Sequence, residues 1–166
     1  MERIKHFIRN TCQWVINSFF TGHHFWTIKR GLLRVAGVAV GNRVRVVGPI
    51  YFTASLSIGN DTFIGRKLEI HGNGSVMIGD KCDIAPEVSF LTGSHELGDH
   101  TRRAGKGVAF HIVIGNGCWI GAKSTILGNT EIGDGCMIGA NALVNRSYEA
   151  DSLIVGIPGK CIRHLD

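Results

Sequence analysis

Residues 112–144 read IVIGNGCWIGAKSTILGNTEIGDGCMIGANALV, with an isoleucine or valine at every sixth position. The residues of this series are Ile114, Ile120, Ile126, Ile132, Ile138 and Val144. An amphipathic helix has a period of about 3.6 residues and a half-buried strand a period of about 2, so neither accounts for the spacing. A period of six is typical of the short repeats that build a parallel β-helix.

The same period extends towards the amino terminus. The apolar residues that continue it are Val40, Val46, Phe52, Ile58, Ile64, Ile70 and, after a slip of two residues, Ile78, Ile84 and Phe90. The fifteen hexads predict about five coils, because three hexads make one turn of a triangular prism. The chain is therefore predicted to be all-β, with helices and a carboxy-terminal tail available to cover the open ends.

Residues eighteen positions apart are expected to stack in successive coils. The expected pairs are Cys118 with Cys136, Ile114 with Ile132, and Ile120 with Ile138. A glycine follows the apolar residue in eight hexads, and we interpret it as a residue that accepts tight turns. The stacked cysteines are interpreted as a ladder of small, partly buried side chains and not as redox groups.

Composition narrows the function classes. The length of 166 residues is typical of a single domain. The net charge of +5 favours anionic partners only mildly. This charge is too small to indicate nucleic-acid binding by itself. The five cysteines contain no CxxC pair, so the sequence suggests neither a disulfide framework nor a zinc site.

The first 36 residues have a different pattern. Apolar residues recur at helical spacing from Ile4 to Phe19 and again around Leu32, with lysines and arginines between them. Residues 1–36 are therefore predicted to form an amphipathic helical segment, and residues 37–166 the β-helix domain. The helices either pack against the protein's own core or a sister subunit, or form a basic surface that binds a membrane peripherally. We recognise no signal peptide and no bilayer-spanning run, so a cytoplasmic location is expected.

The six-residue rhythm stops at residues 92–107, TGSHELGDHTRRAGKG. Histidines, acids and cations replace the regular hexads here. We predict that a loop over residues 94–111 leaves the prism before the next coil begins. A carboxy-terminal cap is predicted for residues 147–166.

The motifs TGSH, CWIG and GIPGK, together with the hexads of residues 37–166, resemble the hexapeptide-repeat acyltransferases. Within that superfamily the chain is most similar to sugar O-acetyltransferases. The resemblance implies a left-handed β-helix, a homotrimer with active sites between subunits, and acetyl-CoA as the acyl donor without a metal. It also implies that the loop is one wall of the active-site cleft.

The resemblance assigns catalytic roles to residues near the break. His95 matches the catalytic histidine, which as a general base takes a proton from the acceptor hydroxyl. Glu96 resembles the acid that orients this histidine, and Asp83 is a second candidate for that role or for acceptor binding. Arg102 and Arg103 are candidates for binding an acidic sugar, with simple solvation of the loop as the alternative.

The resemblance also implies a binding site for the donor. Its residues are Trp119, Gly121, Ala122, Ala140, Asn145, Arg146, Lys160 and Arg163. The aromatic ring would line the pantetheine groove, and the cations would contact phosphates. A backbone N–H near Gly121 or Ala122 would stabilise the oxyanion that forms during transfer.

The predicted function is acetylation of a saccharide hydroxyl, in a surface polysaccharide or its precursor, at the inner face of the membrane or in the cytoplasm. N-acetylation of an amino-sugar nucleotide is the nearest alternative. A zinc hydratase resembling the γ-class carbonic anhydrases would use His71, His95 and His100 as ligands. Serine acetyltransferase activity is disfavoured because only about 36 residues precede the hexads, and a non-catalytic scaffold is disfavoured by His95.

Overall fold

The computed structural model describes residues 2–165. Three sheets of mainly parallel strands, called A, B and C here, form the sides of a triangular prism. From Ala39 to Val144, apart from an antiparallel hairpin within residues 93–109, successive strands occupy sheets A, B and C in turn, so that one coil passes through all three. Five complete coils are present, as the hexads predict, and a partial sixth follows them.

The helices are α1 (Glu2–Phe19) and α2 (Trp26–Val35). Sheet A contains β1 (Ala39–Val40), β4 (Ser55–Ile58), β7 (Ser75–Ile78), β12 (His111–Ile114) and β15 (Thr130–Ile132). Sheet B contains β2 (Arg45–Val46), β5 (Phe63–Ile64), β8 (Asp83–Ile84), β13 (Trp119–Ile120), β16 (Met137–Ile138), β18 (Ser152–Val155) and β19 (Lys160–His164). Sheet C contains β3 (Ile50–Phe52), β6 (Leu68–His71), β9 (Ser89–Leu91), β14 (Thr125–Leu127) and β17 (Leu143–Val144). A separate antiparallel hairpin consists of β10 (Gly93–Leu97) and β11 (Ala104–Ala109).

The predicted stacking is confirmed. Ile114 pairs with Ile132 in sheet A, and Ile120 pairs with Ile138 in sheet B. The apolar residues of the hexad series are buried from Val46 onwards and form one continuous core along the prism axis. This row of stacked aliphatic side chains is the main source of stability that the repeat provides.

The glycines have a different role from the predicted one. The glycine after the inward-facing residue does not adopt a positive φ; it lies against the backbone of the next coil instead. A Cβ on Gly65, for example, would lie 2.8 Å from three backbone atoms of that coil. The left-handed turn positions carry side chains, such as Lys81 with φ 56° and Glu87 with φ 63°. Close approach of two backbones, and not turn conformation, therefore requires these glycines.

Short polar side chains form two columns at the corner between sheets A and B. In one column an Asn or Asp accepts a backbone N–H bond from the coil before, as Asp134 does from Asn116 at 2.6 Å. In the other, the thiols of Cys82, Cys118 and Cys136 donate to carbonyls of the next turn at 3.0 to 3.2 Å. For Cys118, the interaction of its thiol with that of Cys82 and its burial raise the pKa, so this thiol keeps its proton. The predicted cysteine ladder is present, and it is fully rather than partly buried.

Helix α1 closes the open edge of sheet C. The Gln13 amide donates to the Phe52 carbonyl at 3.0 Å and accepts from the Phe52 N–H at 2.8 Å. Asn17 makes the same pair of bonds with Ile50, each 2.9 Å long. Two side-chain amides thus take the place of a neighbouring strand, which satisfies backbone groups that an edge strand would leave unpaired.

Helix α2 packs on the first strands of sheets A and B. The Lys29 ammonium is fully buried and donates to the Gly22 carbonyl at 2.6 Å and the Val47 carbonyl at 3.3 Å. It also lies over the Trp26 ring, 4.6 Å from its centroid. Arg34 donates to the Val40 carbonyl. Both helices are therefore joined to the first coil, although each keeps an exposed face.

The predicted excursion is the hairpin of β10 and β11, which leaves the prism after sheet C in the third coil. The Phe110 N–H donates to the Thr92 carbonyl at 2.7 Å and closes the base of the hairpin. At the other end of the chain, β19 turns back and pairs antiparallel with β18.

Among residues 2–165, no helix is long and apolar enough to cross a bilayer.

Candidate active site

The hairpin presents His95 to solvent. His95 lies on β10 opposite Gly107 on β11, and its imidazole makes no hydrogen bond within residues 2–165. The register between the two strands shifts between His95 and Leu97, which places Glu96 in a β-bulge. Bulges of this kind often re-aim a side chain beside an active site. The structure thus brings His95 and Glu96 to one exposed strand, without a direct hydrogen bond between their side chains.

The tip of the hairpin is held by local hydrogen bonds. Asp99 accepts bonds from the Thr101 hydroxyl and N–H and from the Arg102 N–H, and these bonds lower the pKa of the Asp99 carboxyl. Arg103 donates to the Gly98 carbonyl at 3.2 Å, which leaves it partly occupied within the turn. Arg102 is exposed beside it. The two arginines therefore lie at the far end of the hairpin and His95 nearer its base.

Asp83 and Trp119 lie side by side in sheet B. They are paired residues of β8 and β13, and both are exposed. With Phe63, Ala85 and Pro86 they line a groove of 420 Å³ on the outer face of this sheet. Asp83 is consequently one side of the prism away from the start of the hairpin. Within one chain it does not contact His95.

Unpaired backbone N–H groups line the corner between sheets B and C. The Gly121 N–H donates to the Ile138 carbonyl at 2.7 Å, so it is committed to the coil and does not point to a ligand. The N–H groups of Ala122 and Ala140 have no backbone or side-chain partner in the described chain. These two residues occupy equivalent positions in successive coils. They form a short column of free donors next to the Trp119 groove.

The other predicted donor residues lie elsewhere. Asn145 and Arg146 follow β17, at the corner between sheets C and A. The Arg146 guanidinium lies over the Tyr148 ring and donates to its hydroxyl at 3.1 Å. Lys160 and Arg163 are exposed on β19. The structure therefore does not bring the eight residues predicted to bind acetyl-CoA together in one site on a single chain.

Three cations that sequence reasoning missed lie at the corner between sheets B and C. They are Arg66, Lys67 and Lys123, and the Glu87 carboxylate lies 3.6 Å from the Lys67 ammonium and 3.9 Å from that of Lys123. Lys123 directly follows Ala122 in the chain. Lys67, Glu87 and Lys123 occupy equivalent positions in the second, third and fourth coils, and this periodicity is the signal that could have found two of the three cations.

The three histidines of the zinc hypothesis lie on separate features. His71 is exposed on β6 and pairs with Glu69 at 3.1 Å, whereas His95 and His100 belong to the hairpin. Among residues 2–165, no three His, Cys, Asp or Glu side chains converge as a metal site would require.

Comparison with known proteins identifies the family. The family model "Bacterial transferase hexapeptide (six repeats)" matches residues 111–146, and "Hexapeptide repeat of succinyl-transferase" matches residues 55–85. The galactoside O-acetyltransferase of Escherichia coli K12 is 30% identical over 140 residues, covering 83% of this chain and 69% of that protein. This chain belongs to the hexapeptide-repeat acyltransferases.

Solved structures of the family share the fold. A hexapeptide-repeat acetyltransferase from Vibrio cholerae, solved with acetyl coenzyme A, has a TM-score of 0.86 and 27% identity, covering 99% of this chain and 88% of that one. This similarity confirms the left-handed β-helix. The serine acetyltransferase of Staphylococcus epidermidis RP62A is 37% identical over 113 residues, which are 68% of this chain and 51% of that protein. This hexapeptide-repeat acyltransferase thus spans about half the length of that relative.

Proposed function

We propose that this hexapeptide-repeat acyltransferase transfers the acetyl group of acetyl-CoA directly to a hydroxyl of a saccharide, with His95 as the general base. The observation that carries the proposal is the placement of His95, which is exposed and makes no side-chain hydrogen bond to the described part of the chain, on a hairpin that projects from the prism. The similarity to a galactoside O-acetyltransferase over most of the chain supports a sugar as the acceptor. A neutral imidazole suits this role because a sugar hydroxyl needs help to lose its proton near neutral pH.

The proton movements follow from this assignment. His95 takes the proton of the acceptor hydroxyl as the oxygen attacks the thioester carbonyl, and the imidazolium then protonates the departing thiolate. Glu96, in the bulge, would orient the imidazole and favour its charged form. The Ala122 N–H is free to donate to the oxyanion of the tetrahedral intermediate, whereas the Gly121 N–H is already bonded. Of the two backbone donors that the resemblance suggested, Ala122 is therefore the better candidate.

The layout of the corners supports an active site shared by two subunits. The hairpin leaves at the corner between sheets C and A, and the free N–H groups of Ala122 and Ala140 lie between sheets B and C. These corners are separated by one side of the prism, roughly 15 to 20 Å at about 3.3 Å per residue. In a cyclic trimer with sheet C towards the axis, His95 of one copy would approach the Trp119 groove of the next, which we call the donor groove because it would hold acetyl-CoA.

The test is release of free CoA thiol from acetyl-CoA by metal-stripped protein. The acceptors are galactosides, oligosaccharides of surface glycans, amino-sugar nucleotides and L-serine, which is included because of the similarity to serine acetyltransferase. We expect release with a saccharide hydroxyl and a loss of about a hundredfold to ten-thousandfold in His95→Ala.

His100→Ala is the matched control, since it removes a histidine from the same hairpin. It should keep transfer activity. If CoA thiol is released only with an amino-sugar nucleotide or with L-serine, that compound and not a saccharide hydroxyl is the acceptor. Absence of release with every acceptor, with zinc-dependent hydration of carbon dioxide that His100→Ala abolishes, would replace acetyl transfer by a hydratase.

A further inference from the structure

The net positive charge of the protein comes from its amino-terminal part. Residues 1–60 contain eight Lys and Arg residues and a single acid, Glu2, which gives a net charge of +7. Residues 61–166 contain ten Lys and Arg residues and twelve acids, which gives −2. The overall +5 is the sum of two parts of opposite sign. Such an asymmetry indicates an anionic partner for one part of the molecule.

The same part exposes large apolar side chains. On α1, Ile4, Phe7 and Trp14 are 64%, 71% and 61% exposed, and they lie on the face opposite to the buried Cys12 and Ile16. The hexad repeat does not account for this face, because the contacts of α1 with sheet C use its other side. An exposed stripe of this kind normally marks an interaction surface.

The aromatic and aliphatic surface continues beyond this stripe. The Phe19 ring packs edge-on against Trp14 at 5.6 Å and is itself exposed. On and before α2, Phe25, Ile28 and Val35 are also exposed. Both helices are joined to the first coil, so all these residues lie at one end of the prism. We call this surface, formed by the exposed residues of segment 2–35, the foot.

We propose that the foot binds the surface of an anionic membrane. Amphipathic helices that carry aromatic residues beside lysines and arginines lie in the bilayer interface, where apolar burial and attraction to acidic headgroups add together. A second copy of this chain docked foot to foot would bring together two segments that each carry six Lys and Arg residues and one acid, a net charge of +5 that includes the buried Lys29, and this is unfavourable. A membrane supplies both the apolar environment and the negative charge that the foot requires.

The polarity of the prism places the proposed active site near that membrane. The hairpin with His95 leaves the third coil, so its base is two coil spacings, roughly 10 Å, from the first coil. If the proposed acetyl transfer holds, an acceptor glycan anchored in the same membrane would be within reach of the base. In a cyclic oligomer all feet face the same way, and several weak contacts would combine into stable attachment.

The experiment is co-sedimentation of the full-length protein with vesicles. One set contains phosphatidylglycerol and phosphatidylcholine in equal parts, and the other contains phosphatidylcholine alone. We expect binding to the anionic vesicles that weakens as salt is added, and at least tenfold weaker binding to the neutral ones. The Phe7→Ser/Trp14→Ser variant should bind anionic vesicles at least tenfold more weakly than the native protein.

Met77→Ser/Ile157→Ser is the matched control, because it removes two exposed apolar side chains outside the foot. It should bind like the native protein, and circular dichroism of both variants verifies folding. Equal binding to the two vesicle types, or no binding, would overturn the proposal. So would dissociation of a native oligomer by Phe7→Ser/Trp14→Ser, since the face would then join copies of the chain. The vesicle assay does not depend on acetyl transfer, so failure of one proposal is distinguishable from failure of the other.

Discussion

At the residue scale, Lys29 is an unusual part of the core. Its side chain is fully buried, and its partners are two backbone carbonyls and an aromatic face, with no acidic partner among residues 2–165. Burial lowers the pKa of Lys29 to about 8. The ammonium nevertheless joins the loop before α2 to the end of the first coil, which an apolar side chain could not do.

We predict that Lys29 makes stability depend on pH. Between about pH 8 and the ordinary lysine value of 10.5, the unfolded chain holds a proton that the folded chain has released. The free energy of unfolding should therefore rise with pH across this window and fall as pH drops through 8. The expected rise is on the order of 2 kcal/mol, measured by urea unfolding.

The comparison is Lys29→Met, which has a similar length and no charge. It should lack this part of the pH dependence while other groups titrate as before. The slopes of stability against pH should differ between about pH 8 and 10.5, and a difference confined to lower pH would indicate that another charge is involved. An identical rise in both proteins would show that Lys29 is not responsible.

At the element scale, α1 acts as a substitute for a sixth strand of sheet C. A side-chain amide offers one donor and one acceptor, as a peptide group does, so Gln13 and Asn17 pair with alternate residues of β3. This arrangement explains how the exposed edge of a parallel sheet is protected from pairing with other chains. It also fixes which face of α1 is buried, and hence which face forms the foot.

Replacing Gln13 tests this capping role. Gln13→Met should lower the free energy of unfolding by about 2 to 4 kcal/mol, because the N–H and carbonyl of Phe52 lose their partner in a buried place. The exposed edge should also make the variant self-associate on heating. Thermal unfolding and sedimentation velocity measure the two effects. Asn10→Ala, an exposed change on the same helix, should have little effect, and equal stability of the two variants would contradict the capping role.

Sequence periodicity predicted the elements well because the repeat leaves one inward residue per hexad, and each of those from Val46 to Val144 is buried. Periodicity could not predict why a glycine follows the inward-facing residue of so many hexads. The distance from Gly65 to the next coil is a property of two stacked backbones, which a single hexad does not reveal. The α1 cap was likewise beyond prediction, since the contact of Gln13 with Phe52 joins residues 39 positions apart, and Gln13 lies outside the hexad repeat.

At the scale of the whole molecule, the prism has two distinct ends and three distinct corners. The positive foot covers the first coil, and β18 and β19 cover the last. The sequence indicated His95 and the acetyl-CoA-binding residues separately. It could not say which corner of the prism each occupies, because one hexad resembles another until the hexads are assigned to coils. Only the structure shows that His95 and the Ala122 column are at opposite edges of sheet C.

This layout makes a quantitative prediction about mixed oligomers. His95→Ala lacks the base, and Ala140→Tyr places a bulky ring beside the donor groove, so each protein alone should be inactive. If a site takes His95 from one subunit and the groove from its neighbour, one subunit combination in four restores a complete site. Refolding the two variants together in equal amounts should then recover about a quarter of native acetyl transfer. Native protein refolded with the double variant should retain about a quarter as well, whereas sites built within single chains would retain about a half. Thiol release from acetyl-CoA measures both mixtures, and a half in the second with no recovery in the first would place the base and the donor on the same chain.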